Sequence, residues 1–132
     1  MHPRPSADFQ EWYDGLLTGP ATIVIPEIVD YELRRELIRL GNVESTDRLS
    51  GLAQVFRYAP ITTAIMRRAA ELWADSRREG RPTADPRELD VDVILAATAQ
   101  SLQEEDEVLV ATTNLVHLSR FVPAAHWRDI NP

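Results

Sequence analysis

Cysteine is absent from this 132-residue chain, which excludes disulfide stapling and thiolate chemistry. No uninterrupted apolar run approaches the roughly 20 residues of a membrane-spanning helix, so no membrane partner is expected. No basic-then-apolar segment opens the chain as a secretory signal would, and a cytoplasmic location is expected. Positive charge is also scarce: 14 basic against 21 acidic side chains leave a formal charge of −7. Proteins that track a nucleic-acid backbone usually carry a cationic surplus, because phosphate contact and counterion release supply their affinity. Any such surface here must be local. Arg34, Arg35 and Arg39 form one candidate, and Arg67, Arg68, Arg77, Arg78 and Arg81 a second; both also read as ordinary solvated helix surface. The three histidines, His2, His117 and His126, lack a fourth ligand at a zinc-like spacing. Aromatic residues make up only 7%, and Trp12 and Trp73 sit in apolar-periodic segments, which points to core or interface and away from base stacking.

Apolar residues make up 44% of the chain, enough for one compact domain of this length. Helical and extended patterns alternate along it. Ser6 is placed to cap a helix carrying Phe9, Trp12, Tyr13, Leu16 and Leu17, which Gly19-Pro20 ends. Ala21 to Ile25 reads as a short buried strand stopped by Pro26. A helix follows from Glu27 to about Leu40, ended by Gly41-Asn42, and another runs from about Ser45 to Phe56. Tyr58 to Ile61 reads as a strand, and Thr62 or Thr63 caps a helix that Gly80 closes. The proline-rich stretch 81–86 reads as loop. A helix from about Asp90 to Gln103, a strand at Val108–Ala111 and a last strand at Trp127–Ile130 complete an α/β layer arrangement.

Four residues stand out chemically. Asp92 opens the apolar, small-residue segment Asp92-Val93-Ile94-Leu95-Ala96-Ala97-Thr98-Ala99, whose alanines permit close packing that would hold the carboxylate at a cleft. The competing reading is a helix cap or a dipole partner. Asp90, two residues away and about 200° around the helix, does not share its face. Glu32 lies in the helix after the first strand, where ligands tend to gather beyond strand ends; Glu27, Asp30 and Glu36 compete with it. Thr112 and Asn114 follow the Val108–Ala111 strand, with oxygens suited to orienting a carboxylate or meeting a hard cation. A Thr-Thr-Asn run also makes ordinary turns and caps. Asp85 and Glu88 read as local turn chemistry.

Taken in order, Ile25-Pro26-Glu27-Ile28-Val29-Asp30-Tyr31-Glu32-Leu33, the Asp92–Ala99 segment, Val110-Ala111-Thr112-Thr113-Asn114 and His117-Leu118 resemble the PIN-domain family of small metal-dependent nucleases. The likeness is to the VapC-like toxin branch of bacterial VapBC toxin–antitoxin systems. It implies a three-layer α/β fold with a central, mostly parallel sheet. It makes Glu32 and Asp92 the second and third acids and Asn114 the fourth polar position, with Thr112 as the hydroxyl residue before it. The implied chemistry is Mg²⁺- or Mn²⁺-assisted hydrolysis of RNA, the metal held by Glu32, Asp92 and Asn114. The implied partners are RNA and a small antitoxin protein; a homodimer is expected separately, because a missing central strand would expose backbone groups and apolar side chains.

One departure matters. The family's first acid follows an apolar N-terminal strand, and no acid follows such a strand here; Asp8 and Asp14 both fall in the first helical pattern. The expectation is a fold that is N-terminally truncated, its first strand lost and hydrolysis impaired, or rearranged, its sheet repaired by another segment or a neighbouring subunit and only a binding role retained. The alternative is a noncatalytic domain that binds an antitoxin or itself.

Overall fold

A computed structural model describes residues 6–80, 86–113 and 115–132, with the side chains of 86–88 left aside. Helix α1 (Ala7–Thr18) starts as the sequence suggests: the Ser6 hydroxyl oxygen accepts the Phe9 N–H at 3.1 Å, and Gly19 closes the helix. A cap of this kind contributes about 1 kcal/mol. No α1 residue is buried; the helix is seated by its aromatic face and the C-terminal segment. Phe9 meets Trp127 edge-on at 5.2 Å between ring centroids, and the Trp12 indole N–H donates to the Ile130 carbonyl at 2.9 Å. A Cβ added at Gly15 would stand 2.9 Å from Pro132 Cβ, so the tail passes where only glycine leaves room.

Strand β1 (Val24–Pro26) runs straight into α2 (Glu27–Arg39), with Pro26 serving as the last strand residue and the residue before the helix. The turn to α3 (Val43–Val55) is made by Gly41 at φ +69, a left-handed backbone that costs glycine little. Gly41 N–H donates to Ile38 O and Asn42 N–H to Leu37 O, the paired bonds that terminate helices at such a glycine. Asn42 then caps α3 by accepting the Ser45 N–H at 3.0 Å, so the helix begins earlier than Ser45. After this helical hairpin, β2 (Arg57–Ala59) returns parallel to β1, in register Val24↔Arg57, Ile25↔Tyr58 and Pro26↔Ala59.

The densest packing lies between α4 (Thr63–Arg78) and α5 (Pro86–Leu102). Ile65, Ala69 and Leu72 of α4 meet Leu89, Val93, Ala96 and Ala97 of α5, with Ile61, Ile94 and Phe121 at the margin. The α5 alanines permit this close approach. Helix α5 begins at Pro86, before the expected Asp90, because proline is tolerated at a first helical position. The rest of the expected loop, 81–85, lies outside the described residues.

Strand β3 (Val110–Ala111) pairs in parallel with β4 (Ala124–Ala125), with the short helix α6 (Leu115–Leu118) between them. The ladder is extended by Val110 N–H to Pro123 O and Thr112 N–H to Ala125 O, each 3.0 Å. Trp127–Asp129 is a 3-10 turn, not the strand expected at Trp127–Ile130. His126 Nδ1 accepts the Arg128 N–H there, and the strand has already closed at Ala125. The expected parallel α/β arrangement is thus present, as two strand pairs that are not hydrogen-bonded to each other among the described residues. Contact between α2 and α5 links the two halves.

Candidate metal centre

Asp92 occupies the interior of α5, six residues beyond Pro86. That is more than a full turn into the helix, so capping no longer accounts for it, and the dipole effect has largely fallen away by then. The residue is buried at 7% relative exposure, near Leu89 and Val93 along the helix, and it has interactions of its own. Asp90 is exposed, as its different face requires. A buried acid in mid-helix is costly unless it is engaged.

Glu32 lies on α2, one turn beyond Ile28, which is only 5% exposed. Glu32 itself is exposed. Its rivals are occupied. Glu27 accepts the Ile61 N–H at 3.0 Å and the Tyr58 hydroxyl at 3.4 Å. Asp30 accepts the same hydroxyl at 3.1 Å and pairs with Arg34 at 3.0 Å, while Glu36 pairs with Arg39. The Arg39 hydrogen bond, followed by the nearby positive charges, holds the Glu36 carboxyl below its usual range. Among the described residues Glu32 makes no hydrogen bond or ion pair.

Tyr58 is the polar residue that sequence reasoning missed. Burial, then the hydrogen bond to Asp30 and the charges of Asp30 and Glu27, push its hydroxyl up to about 12. The signal for it was the parallel register: pairing Ile25 with Tyr58 sets the phenol beside the first turn of α2, where Glu27 and Asp30 stand three residues apart. This cluster ties β2 to α2, and Arg34 extends it to Ser50 of α3 at 3.0 Å.

Thr112 follows β3, half-buried, with its backbone on Ala125 and further interactions besides. Asn114 lies outside the described residues, as do His2 and Asp85 and the Glu88 side chain. His117 is half-buried in α6, and its carbonyl accepts from Arg120 Nε at 3.3 Å. His126 caps the 3-10 turn.

The structure therefore brings the helices of Glu32 and Asp92 into contact and leaves Glu32 the unengaged acid of its helix. Among the described residues, no group of three or more acidic, histidine or cysteine side chains assembles to hold a metal. Two cavities, of about 160 and 350 Å³, are lined by Leu72, Asp75, Ser76, Glu79, Arg120 and Phe121, and by segment 103–109 with Pro123; neither contains Glu32 or Asp92. In kind, carboxylates with neutral oxygens suit a hard dication. In number, two acids constrain its shell weakly.

Comparison with known proteins agrees with the fold. The fold is similar to a chain in the 2.2 Å structure of VapBC-1 from nontypeable Haemophilus influenzae, with a TM-score of 0.69 and 17% identity over 91% of this chain and 87% of that one. No curated protein matches the sequence. The family model described as PIN domain matches residues 4–118, a span that includes both helices bearing Glu32 and Asp92 and the strand before Thr112. The chain belongs to the PIN domain family.

Proposed function

We propose that this chain is an endoribonuclease-like protein of the VapC toxin type, acting on RNA phosphodiesters with Mg²⁺ or Mn²⁺ held by Glu32, Asp92 and Asn114. The observation that carries this reading is the carboxylate of Asp92, buried in mid-helix where capping does not explain it. A bound divalent ion supplies polarisation of the phosphate and a lowered pKa for water. Glu32 and Asp92 supply the negative charge that holds such an ion, from two helices in contact. Asn114 adds a neutral oxygen, and the Thr112 hydroxyl orients a neighbouring carboxylate through a hydrogen bond.

Two carboxylates and an amide bind a hard dication less tightly than three or four carboxylates do. Hydrolysis by this chain is accordingly proposed to be weak. Incubation with structured RNA and Mn²⁺ tests this: slow cleavage, or none, is expected, and Asp92→Asn removes what there is. Fast Mn²⁺-dependent cleavage overturns the weakness, and cleavage undiminished in Asp92→Asn overturns the site.

A second reading, recognition of a small antitoxin protein, is favoured by Val29, Leu33 and Leu40. These apolar residues are exposed; Val29 and Leu33 share one stripe of α2 beside Glu32, and Leu40, which caps the helix, continues it. An arginine of such a partner would displace the metal from Glu32 and Asp92 by pairing with both carboxylates. Binding of the partner lost on Leu33→Asp, with the fold retained, supports this reading; binding unchanged contradicts it.

A further inference from the structure

We infer that Arg35 and Tyr31, on either side of Glu32 along α2, form the contact that holds single-stranded RNA beside the acid site. The choice of RNA as ligand rests on the nuclease reading above. A chain of net charge −7 repels a polyanion overall, so binding needs a cation that is not held in a direct ion pair. The two neighbours that made this stretch a candidate basic surface are already spent: Arg34 is paired with Asp30, and Arg39 with Glu36. Arg35 forms no ion pair among the described residues and meets Glu36, already paired with Arg39, only through longer-range charge. Its guanidinium lies over the Tyr31 ring, 5.2 Å from the centroid.

Helix geometry places this pair at the acid. Measured around α2 from the buried Ile28, Glu32 stands about 40° to one side and Arg35 about 20° to the other. Acid and cation thus leave the core on one face. Tyr31, 55% exposed, borders that face. A planar cation lying over an exposed tyrosine suits a strand whose phosphates need neutralising and whose bases need a stacking surface. Arg77 over Trp73 repeats the arrangement on α4, on a helix that carries no candidate metal-binding acid.

Fluorescence anisotropy with a short labelled single-stranded RNA tests the inference, with Ca²⁺ in place of Mn²⁺ to limit turnover. Tyr31→Ala should weaken binding between about fivefold and a hundredfold, the range for loss of one stacked base, and Tyr31→Phe should restore it. Arg35→Ala should weaken binding and lower the salt slope by about 0.7, as loss of one phosphate contact to a single strand does. Arg67→Ala, which removes an exposed cation elsewhere, on α4, should bind as the parent does. The inference is overturned if the parent binds no RNA, if Arg35→Ala and Tyr31→Ala bind as the parent does, or if Arg67→Ala loses as much as Arg35→Ala. It is also overturned if the Arg35 and Tyr31 substitutions disturb only binding of a protein partner. RNA that binds through this pair without being cleaved supports the inference and contradicts the nuclease reading, so the two fail separately.

Discussion

At the scale of single residues, burial and partnership separate acids that look alike in the sequence. Glu27, Asp30, Glu32 and Glu36 all lie on α2, yet the first two are bound to β2 and its following loop through Tyr58 and the Ile61 amide, and the last to Arg39. Glu32→Gln should therefore change stability by less than about 0.5 kcal/mol, as surface substitutions do. Glu27→Gln should cost about 1 kcal/mol, because it weakens two hydrogen bonds to a charged acceptor. Denaturant unfolding of the two variants checks this, and equal effects would contradict it. Tyr58 gives a pH signature. Its folded pKa, about 12, lies above the 10.0 of an ordinary tyrosine, so its contribution to stability is complete below pH 10 and is lost as pH rises toward 12. Tyr58→Phe should flatten that alkaline part of the stability profile. An unchanged slope between those pH values would contradict the assignment.

Among secondary-structure elements, local chemistry was the legible part. Ser6, Thr62 and Gly41 announced helix ends that the structure keeps, with Thr62 accepting the Ile65 N–H at 3.1 Å. Gly41→Ala should cost about 1 kcal/mol, since alanine at φ +69 pays the left-handed penalty. Thermal unfolding should show a lowered midpoint, and no change would contradict the conformational argument. Strands were less legible than helices. Two- and three-residue strands have no room for a period, so their limits depend on the partner that supplies the ladder. Trp127 to Ile130 read as a last strand, but the Trp127 ring is committed to Phe9 and Trp12 at the other end of the chain. Asp92 was legible as an acid on the small-residue helix. Its depth was not, because Pro86 extends α5 by another turn and moves the acid from the helix mouth to its interior.

For the molecule as a whole, the sequence carried the α/β class and the order of the elements bearing the site. The division of the sheet depends on contacts between distant segments and was not legible. The strand pairs β1–β2 and β3–β4 have no hydrogen bonds between them among the described residues. Unpaired strand edges favour association with another chain, and we propose a homodimer on that ground. Sedimentation over a range of concentrations should show a dimer that dissociates on dilution; a monomer at every concentration would contradict the proposal. Among the described residues no helix is long and apolar enough to cross a membrane.

The central claim is that Glu32 and Asp92, on helices in contact, serve one hard cation. Calorimetric titration of Mn²⁺ into the parent chain, Glu32→Gln, Asp92→Asn and the double variant tests it most directly. A shared ion predicts weak binding in the parent, loss in each single variant, and no further loss in the double, because groups that act as a unit are not additive. Two single variants that each bind Mn²⁺ as the parent does would place the acids at separate tasks and contradict the account.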